Sequence, residues 1–216
     1  NNADTYCCIM VFTKKPKSYI IYNNNNIPYD KITDSIFIRT GNKIGNKIET
    51  YNGIATLCDK VYIHKHKIFD EPCVKEIFKV SKNVVGYIIY PYDDTGTIIQ
   101  ECLFKQHNPL SYKWLLSNKE KLSNRDKGKK KYDTWYAFGR KQGLLKKKKH
   151  DVLYISTMCN INYVVYKKNH MLHYSGICIS SENNEATFAC ITRPDNRKLL
   201  QLISSKRGGG WFNTSS

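Results

Sequence analysis

The sequence predicts an α+β fold: mostly antiparallel sheet, a long central helix and a short C-terminal helix. Three observations predict it. Short runs rich in Ile, Val and Tyr recur along the chain, bounded by Asn, Gly, Asp and Pro, as strands are. One segment near the middle instead carries its apolar residues at helical spacing, from Leu110 through Trp114, Leu115 and Leu122. The runs at 151–157, 161–166 and 171–180 follow one another directly, as in a meander.

Taken in order, Tyr6 to Thr13 reads as a strand closed by Lys14-Lys15-Pro16-Lys17. Ser18 to Tyr22 is a second, and Asn23 to Asn26 a loop. Ile44, Ile48, Tyr51 and Ile54 sit three and four apart, which predicts a short helix running into a turn at Asn52-Gly53. Lys60 to His64 and Val74 to Val80 read as strands. Val84 to Tyr90 is an apolar run closed by Pro91, which suits a buried strand. Tyr92 to Gly96 is a turn, and Thr97 to Phe104 continues the pairing or begins a helix. Asn108 is a good N-cap and Pro109 fits the first helical position, so the central helix runs from there to about Asn124 to Gly128. After the meander, Asp195 caps a final helix bearing Leu199, Leu200 and Ile203.

The 216 residues are read as one domain, a strand-rich part over about 1–43 and a larger part over 44–216. The chain begins at Asn1 and ends at Asn213-Thr214-Ser215-Ser216 with no secretory signal, which suggests a piece of a longer polypeptide. Glycine (12) and proline (6) are too few for a collagen-like or low-complexity chain. No run approaches the ~18 apolar residues that a membrane span needs, so no membrane partner is expected. The net charge of +17 favours a polyanionic partner.

Eight cysteines occur, several inside apolar runs such as Ile177-Cys178-Ile179 and Ala189-Cys190-Ile191. Free thiols in a reducing intracellular compartment (cytoplasm, nucleoid or viral factory) account for them better than disulfides. No Cys-x-x-Cys occurs, and neither His64-Lys65-His66 nor His170-Met171-Leu172-His173 has a converging partner pair, so no metal site is expected.

The charge is concentrated. Residues 127–149 hold ten basic side chains (Lys127, Lys129, Lys130, Lys131, Arg140, Lys141 and Lys146 to Lys149) against one acid, Asp133. Interleaved is Trp135-Tyr136-Ala137-Phe138-Gly139-Arg140-Lys141-Gln142-Gly143-Leu144. Lysines neutralise phosphates without reading sequence. Arginine can pair bidentately with guanine O6 and N7, and glutamine with adenine N6 and N7. Arg140 and Gln142 are therefore candidates for base reading, and Tyr136 for base stacking, with core packing as its alternative. Lys127, Lys129, Lys130, Lys131 and Lys141 are candidates for phosphates.

This block, together with Lys119 to Gly128, resembles the C-terminal target-recognition domain of TaqI-like N6-adenine DNA methyltransferases. That family has a leucine-x-x-arginine-aspartate helix end, a lysine-rich loop and a tryptophan-tyrosine-alanine-aromatic-glycine-arginine-x-glutamine segment. Glu49 to Thr56, with its Asn52-Gly53-Ile54-Ala55-Thr56 turn, and Tyr87 to Tyr92 are similar to further family segments. The resemblance spans roughly 44–216. It implies binding of double-stranded DNA, as the specificity domain of a restriction-modification enzyme. On that template Arg207, Gly208, Gly209 and Gly210 form a backbone turn at a phosphate.

The chain lacks two of the family's parts: an Asn/Asp-Pro-Pro-aromatic loop that holds the adenine amino group, and a glycine-rich strand-to-helix turn for S-adenosylmethionine. No catalytic residue is therefore assigned. S-adenosylmethionine and methyl transfer are expected in a catalytic half, in cis or in trans, with this chain reading the site. Two readings compete. One is a non-catalytic structural or interaction protein of a nucleoprotein or viral assembly, reusing the basic fold. The other is a nuclease, which Asp93-Asp94, Glu101 and Glu120 do not support by their spacing.

Overall fold

The computed structural model describes residues 19–22, 25–28, 48–128, 132–144 and 151–214. Asn1–Lys43 and Ile44–Ser216 form separate units. In the first, β1 (Tyr19–Tyr22) pairs antiparallel with β2 (Asn25–Pro28). Asn25 and Asn26, expected in a loop, thus complete a ladder through their backbone, opposite Tyr22 and Ile21. The strand expected over 6–13 lies outside the described residues.

The second unit is α+β, with mainly antiparallel sheets. One sheet has the order β10 (Leu172–Tyr174), β5 (Val74–Lys79), β6 (Val84–Ile89), β4 (Ile63–His64), with only the β10–β5 pair parallel. A second runs β3 (Ile48–Asn52), β11 (Gly176–Ser181), β7 (Asp151–Ser156), β9 (Val165–Asn169), all antiparallel. A third joins β12 (Ser205–Lys206), β13 (Phe212–Asn213) and β8 (Met158–Cys159).

The central strands of the second sheet, β11 and β7, are buried on both faces, and their period-two alternation shows why. Leu153, Ile155, Ile177 and Ile179 point to one cluster, Val152, Tyr154 and Cys178 to another. Helices α5 (Asn184–Thr192) and α6 (Pro194–Ile203) cover the first face through Phe188, Ile191 and Leu200. Phe78 and Val80, at the end of β5, cover the second, Phe78 edge-on to Tyr154 at 5.2 Å.

Two expected elements change type. Ile48–Asn52 is strand β3 rather than helix, because β11 offers it a ladder from Ile48 opposite Ser181 to Asn52 opposite Ile177. That pairing outweighs the helical spacing of Ile44, Ile48, Tyr51 and Ile54. Lys60 to His64 is mostly helix α1 (Asp59–Tyr62), with only its last residue, and Ile63, in a strand.

The long central helix is three short ones: α2 (Glu101–His107), α3 (Pro109–Ser117) and α4 (Lys119–Ser123). Pro109 disfavours helical backbone at Asn108, which sits at φ −138°, ψ 60°. Asn118 makes the second break, its Nδ2 donating to the Trp114 carbonyl at 2.9 Å. Asn108 does not cap α3 with its side chain. Its Oδ1 accepts from the Cys73 N–H at 3.0 Å, and the Glu71 carboxylate takes the N–H groups of Leu110 and Ser111 at 2.7 and 2.8 Å. A carboxylate at that end also complements the helix dipole. The apolar faces of these helices, through Phe104, Leu115 and Leu122, close the largest core cluster over Ile88, Ile89, Tyr62 and Tyr90.

Candidate nucleic-acid interface

The segment that carries the charge is built on buried aromatic rings. Tyr136 stacks on Phe104 at 5.4 Å, its planes 8° apart, and its hydroxyl donates to the Ile99 carbonyl at 2.6 Å. Phe138 packs among Tyr62, Tyr90 and Tyr92 at 4.9 to 5.9 Å. Tyr136 is fully buried, which corrects its candidacy for base stacking: its ring is a foundation. Trp135 is half-buried and donates from Nε1 to Glu101 at 3.0 Å.

Arg125 locks this foundation from below. It is 4% exposed, an unusual place for a guanidinium. Its donors reach the carbonyls of Leu122, Ala137 and Trp135 at 2.7, 2.6 and 3.1 Å, and that of Thr56 at 3.3 Å. The ring of Tyr132 lies 4.3 Å from its Cζ. In the sequence Arg125 stands out only as part of the leucine-x-x-arginine-aspartate motif. Arg125 lies just past α4, and the carbonyls of Thr56, Trp135 and Ala137 that bury it are ten or more positions away in sequence, where no local spacing marks them.

From Phe138 the chain turns outward along the 52–56 turn. The Phe138 N–H donates to the Tyr92 hydroxyl at 2.6 Å. Gly139 N–H meets the Thr56 carbonyl at 3.0 Å, and Arg140 N–H meets Ala55 at 3.1 Å. Gln142 Nε2 donates to the Gly53 carbonyl at 3.1 Å. Gly143 has φ +70°, and a Cβ there would stand 2.6 Å from backbone atoms of Gly53 and Ile54, so only glycine fits. Its close approach is to the protein's own backbone. Three segments distant in sequence, at 52–56, 87–92 and 135–144, thus meet in one place.

The result is an exposed ridge, Arg140-Lys141-Gln142, between two clefts. One of about 270 Å³ is lined by Tyr92, Thr97, Tyr132, Arg140, Lys141 and Leu144. The other, of about 280 Å³, is lined by Tyr51, Asn52, Lys141, Gln142, His170 and His173. Carboxylates face the cations. Asp126 Oδ2 accepts from Arg140 Nη1 at 2.8 Å, and Asp133 pairs with Lys141 at 2.7 Å. Asp126, Lys127 and Gly128 are successive left-handed residues, at φ 51°, 59° and 70°. Lys127 is exposed on that turn. Lys129, Lys130 and Lys131, and Lys146 to Lys149, lie outside the described residues.

The remaining candidates belong to another sheet. Gly208–Gly210 bends between β12 and β13, with Gly209 and Gly210 left-handed and Arg207 N–H closed onto the Trp211 carbonyl at 2.7 Å. Phe212, fully buried, anchors it in the cluster under α5 and α6. The bend joins strand to strand.

Among the described residues no three His, Cys, Asp or Glu side chains gather as for a metal ion, and no helix is long and apolar enough to cross a membrane. Comparison with protein-family models finds no match, and no curated protein matches the chain.

Proposed function

We propose that the chain is a sequence-specific double-stranded DNA recognition domain, serving a site-specific adenine-N6 methyltransferase whose catalytic half, with its S-adenosylmethionine, lies in cis or in trans. The observation that carries this reading is the Arg140-Lys141-Gln142 ridge. Its backbone is held to the 52–56 turn, and its three exposed side chains carry polar groups suited to a duplex, Arg140 resting on Asp126 and Gln142 on the Gly53 carbonyl. A rigid backbone under a few polar side chains is what base readout requires, since each bidentate pair needs correct placement. Lys127 and Lys141 are suited to phosphates, which set register without sequence information. The meeting of 52–56, 87–92 and 135–144 supports the reading too, because these are the segments that resemble the methyltransferase family. The reducing interior of a cell is the compartment proposed for its free thiols.

The second reading, a non-catalytic structural or interaction protein of a nucleoprotein or viral assembly, rests on the ten basic side chains of 127–149, since lysines meet phosphates without reading sequence. Repeated selection of the 216-residue chain on a pool of random 30-base-pair duplexes separates the two. Specific recognition enriches one motif. A pool retained without enrichment supports the second reading.

A further inference from the structure

We propose that Asp126 is a positioning residue for base readout, fixing which edge of the Arg140 guanidinium meets the duplex. This rests on the reading of Arg140 as the base-contacting group. Both hydrogen bonds that the Arg140 guanidinium makes to the described residues leave from one nitrogen: Nη1 donates to Asp126 Oδ2 at 2.8 Å and to the Gly139 carbonyl at 3.1 Å. Nε and Nη2 form the opposite, parallel edge, and that edge matches O6 and N7 of a guanine. An arginine without such a partner samples many rotamers and loses entropy on binding. Held at Nη1, it offers one edge.

The carboxylate is itself held. Tyr132 donates to the same Oδ2 at 3.4 Å, and the backbone beneath is the left-handed turn at Asp126 and Lys127. The preceding residue, Arg125, is buried and bonded to four carbonyls. The side chains of Asp126 and Arg140 are 31% and 44% exposed, so the pair contributes little to stability but stands where a ligand reaches it. Charge argues the same way. An acid inside a lysine-rich, phosphate-facing segment opposes general DNA affinity, so its benefit lies in orientation.

The test uses the 216-residue chain, the duplex it enriches, and all single-base-pair variants of that duplex. Asp126→Asn removes the charge, and asparagine tolerates the left-handed backbone better than most residues. Discrimination is a ratio measured on one preparation, so a partly inactive sample cancels. The wild type discriminates about 10-fold or more at the pair Arg140 reads. D126N loses about 3- to 10-fold of that discrimination at that pair alone, with affinity for random duplex equal or higher. D126N added to R140A changes nothing further, as expected for residues acting as one unit. If R140A removes the discrimination and D126N leaves it intact, or acts additively, the positioning role is wrong and the reading of Arg140 stands. If R140A removes no discrimination, the reading fails and the proposal with it.

Discussion

The guanidinium of Arg125 donates to the carbonyl of Ala137 at 2.6 Å, bridging twelve positions of sequence. Through this contact and its bonds to Thr56, Leu122 and Trp135, one buried cation ties helix α4, the aromatic segment and the 52–56 turn together. The ridge leaves directly from this anchored segment, with the Gly139 and Arg140 N–H groups on the Thr56 and Ala55 carbonyls. Hydrogen bonds from a charged donor contribute about 1.5–3 kcal/mol each, and leaving a buried carbonyl unpaired costs a similar amount.

Arg125→Lys should consequently destabilise the chain by about 2–4 kcal/mol. A lysine ammonium cannot span the planar fan of carbonyls that a guanidinium reaches. Urea unfolding followed by tryptophan fluorescence measures this. A cost below about 0.5 kcal/mol would mean that the foundation stands without the clasp.

Glu71 takes over the capping of α3 from Asn108. Glu71→Ala should cost about 1 kcal/mol, the usual magnitude for a lost N-terminal cap. Asn108→Ala should also destabilise, by freeing the Cys73 N–H rather than the helix end. Thermal unfolding of the two variants and their double mutant reads both effects. An unchanged midpoint in E71A would remove the capping role.

Alkaline pH should unfold the protein early. Burial pushes the Tyr92 phenol up from 10.0 to about 12, and burial raises Tyr62 as well. The unfolded phenols ionise near 10.0, while the folded ones keep their protons. The stability they contribute is full below pH 10 and is lost as pH rises from 10 towards 12. Urea midpoints at pH 9, 10 and 11 should therefore fall steeply across the last step. A flat profile contradicts the buried placement of these rings.

Thiol reactivity should divide by burial. Burial pushes Cys73 and Cys159 from 9.0 up to about 11, whereas Cys102 is exposed on α2. At pH 8 an alkylating reagent should modify Cys102 in minutes and leave Cys73 and Cys159 intact until the protein unfolds. Peptide mass mapping reads the sites. Rapid labelling of Cys73 would contradict the packing around it.

The strands were legible where apolar runs were continuous: Val74 to Val80 and Val84 to Tyr90 are β5 and β6 nearly end to end. Helix boundaries were less so, because the apolar stripe from Leu110 to Leu122 continues in register across the break at Asn118. Nothing local marks Ile48–Asn52 as a strand. Its partner β11 lies more than 120 positions away, and only that pairing sets its conformation. At the ridge, residue types announced the exposed candidates, Arg140, Lys141 and Gln142. Those types do not reveal that Tyr136 is turned inward or that Arg125 is buried, since both follow from contacts with residues far along the chain.

On the proposed reading, Arg140 reads a base from the ridge while neighbouring lysines hold phosphates. The measurement that tests it is the affinity of the wild type, R140A and K141A for the enriched duplex and each of its single-base-pair variants, across a range of salt. R140A should lose about 1–3 kcal/mol at one base pair and flatten the preference there. K141A should weaken every duplex alike and lower the salt slope by about one. Equal weakening of all duplexes by R140A, with the preference intact, would make Arg140 a phosphate contact and not a reader of bases.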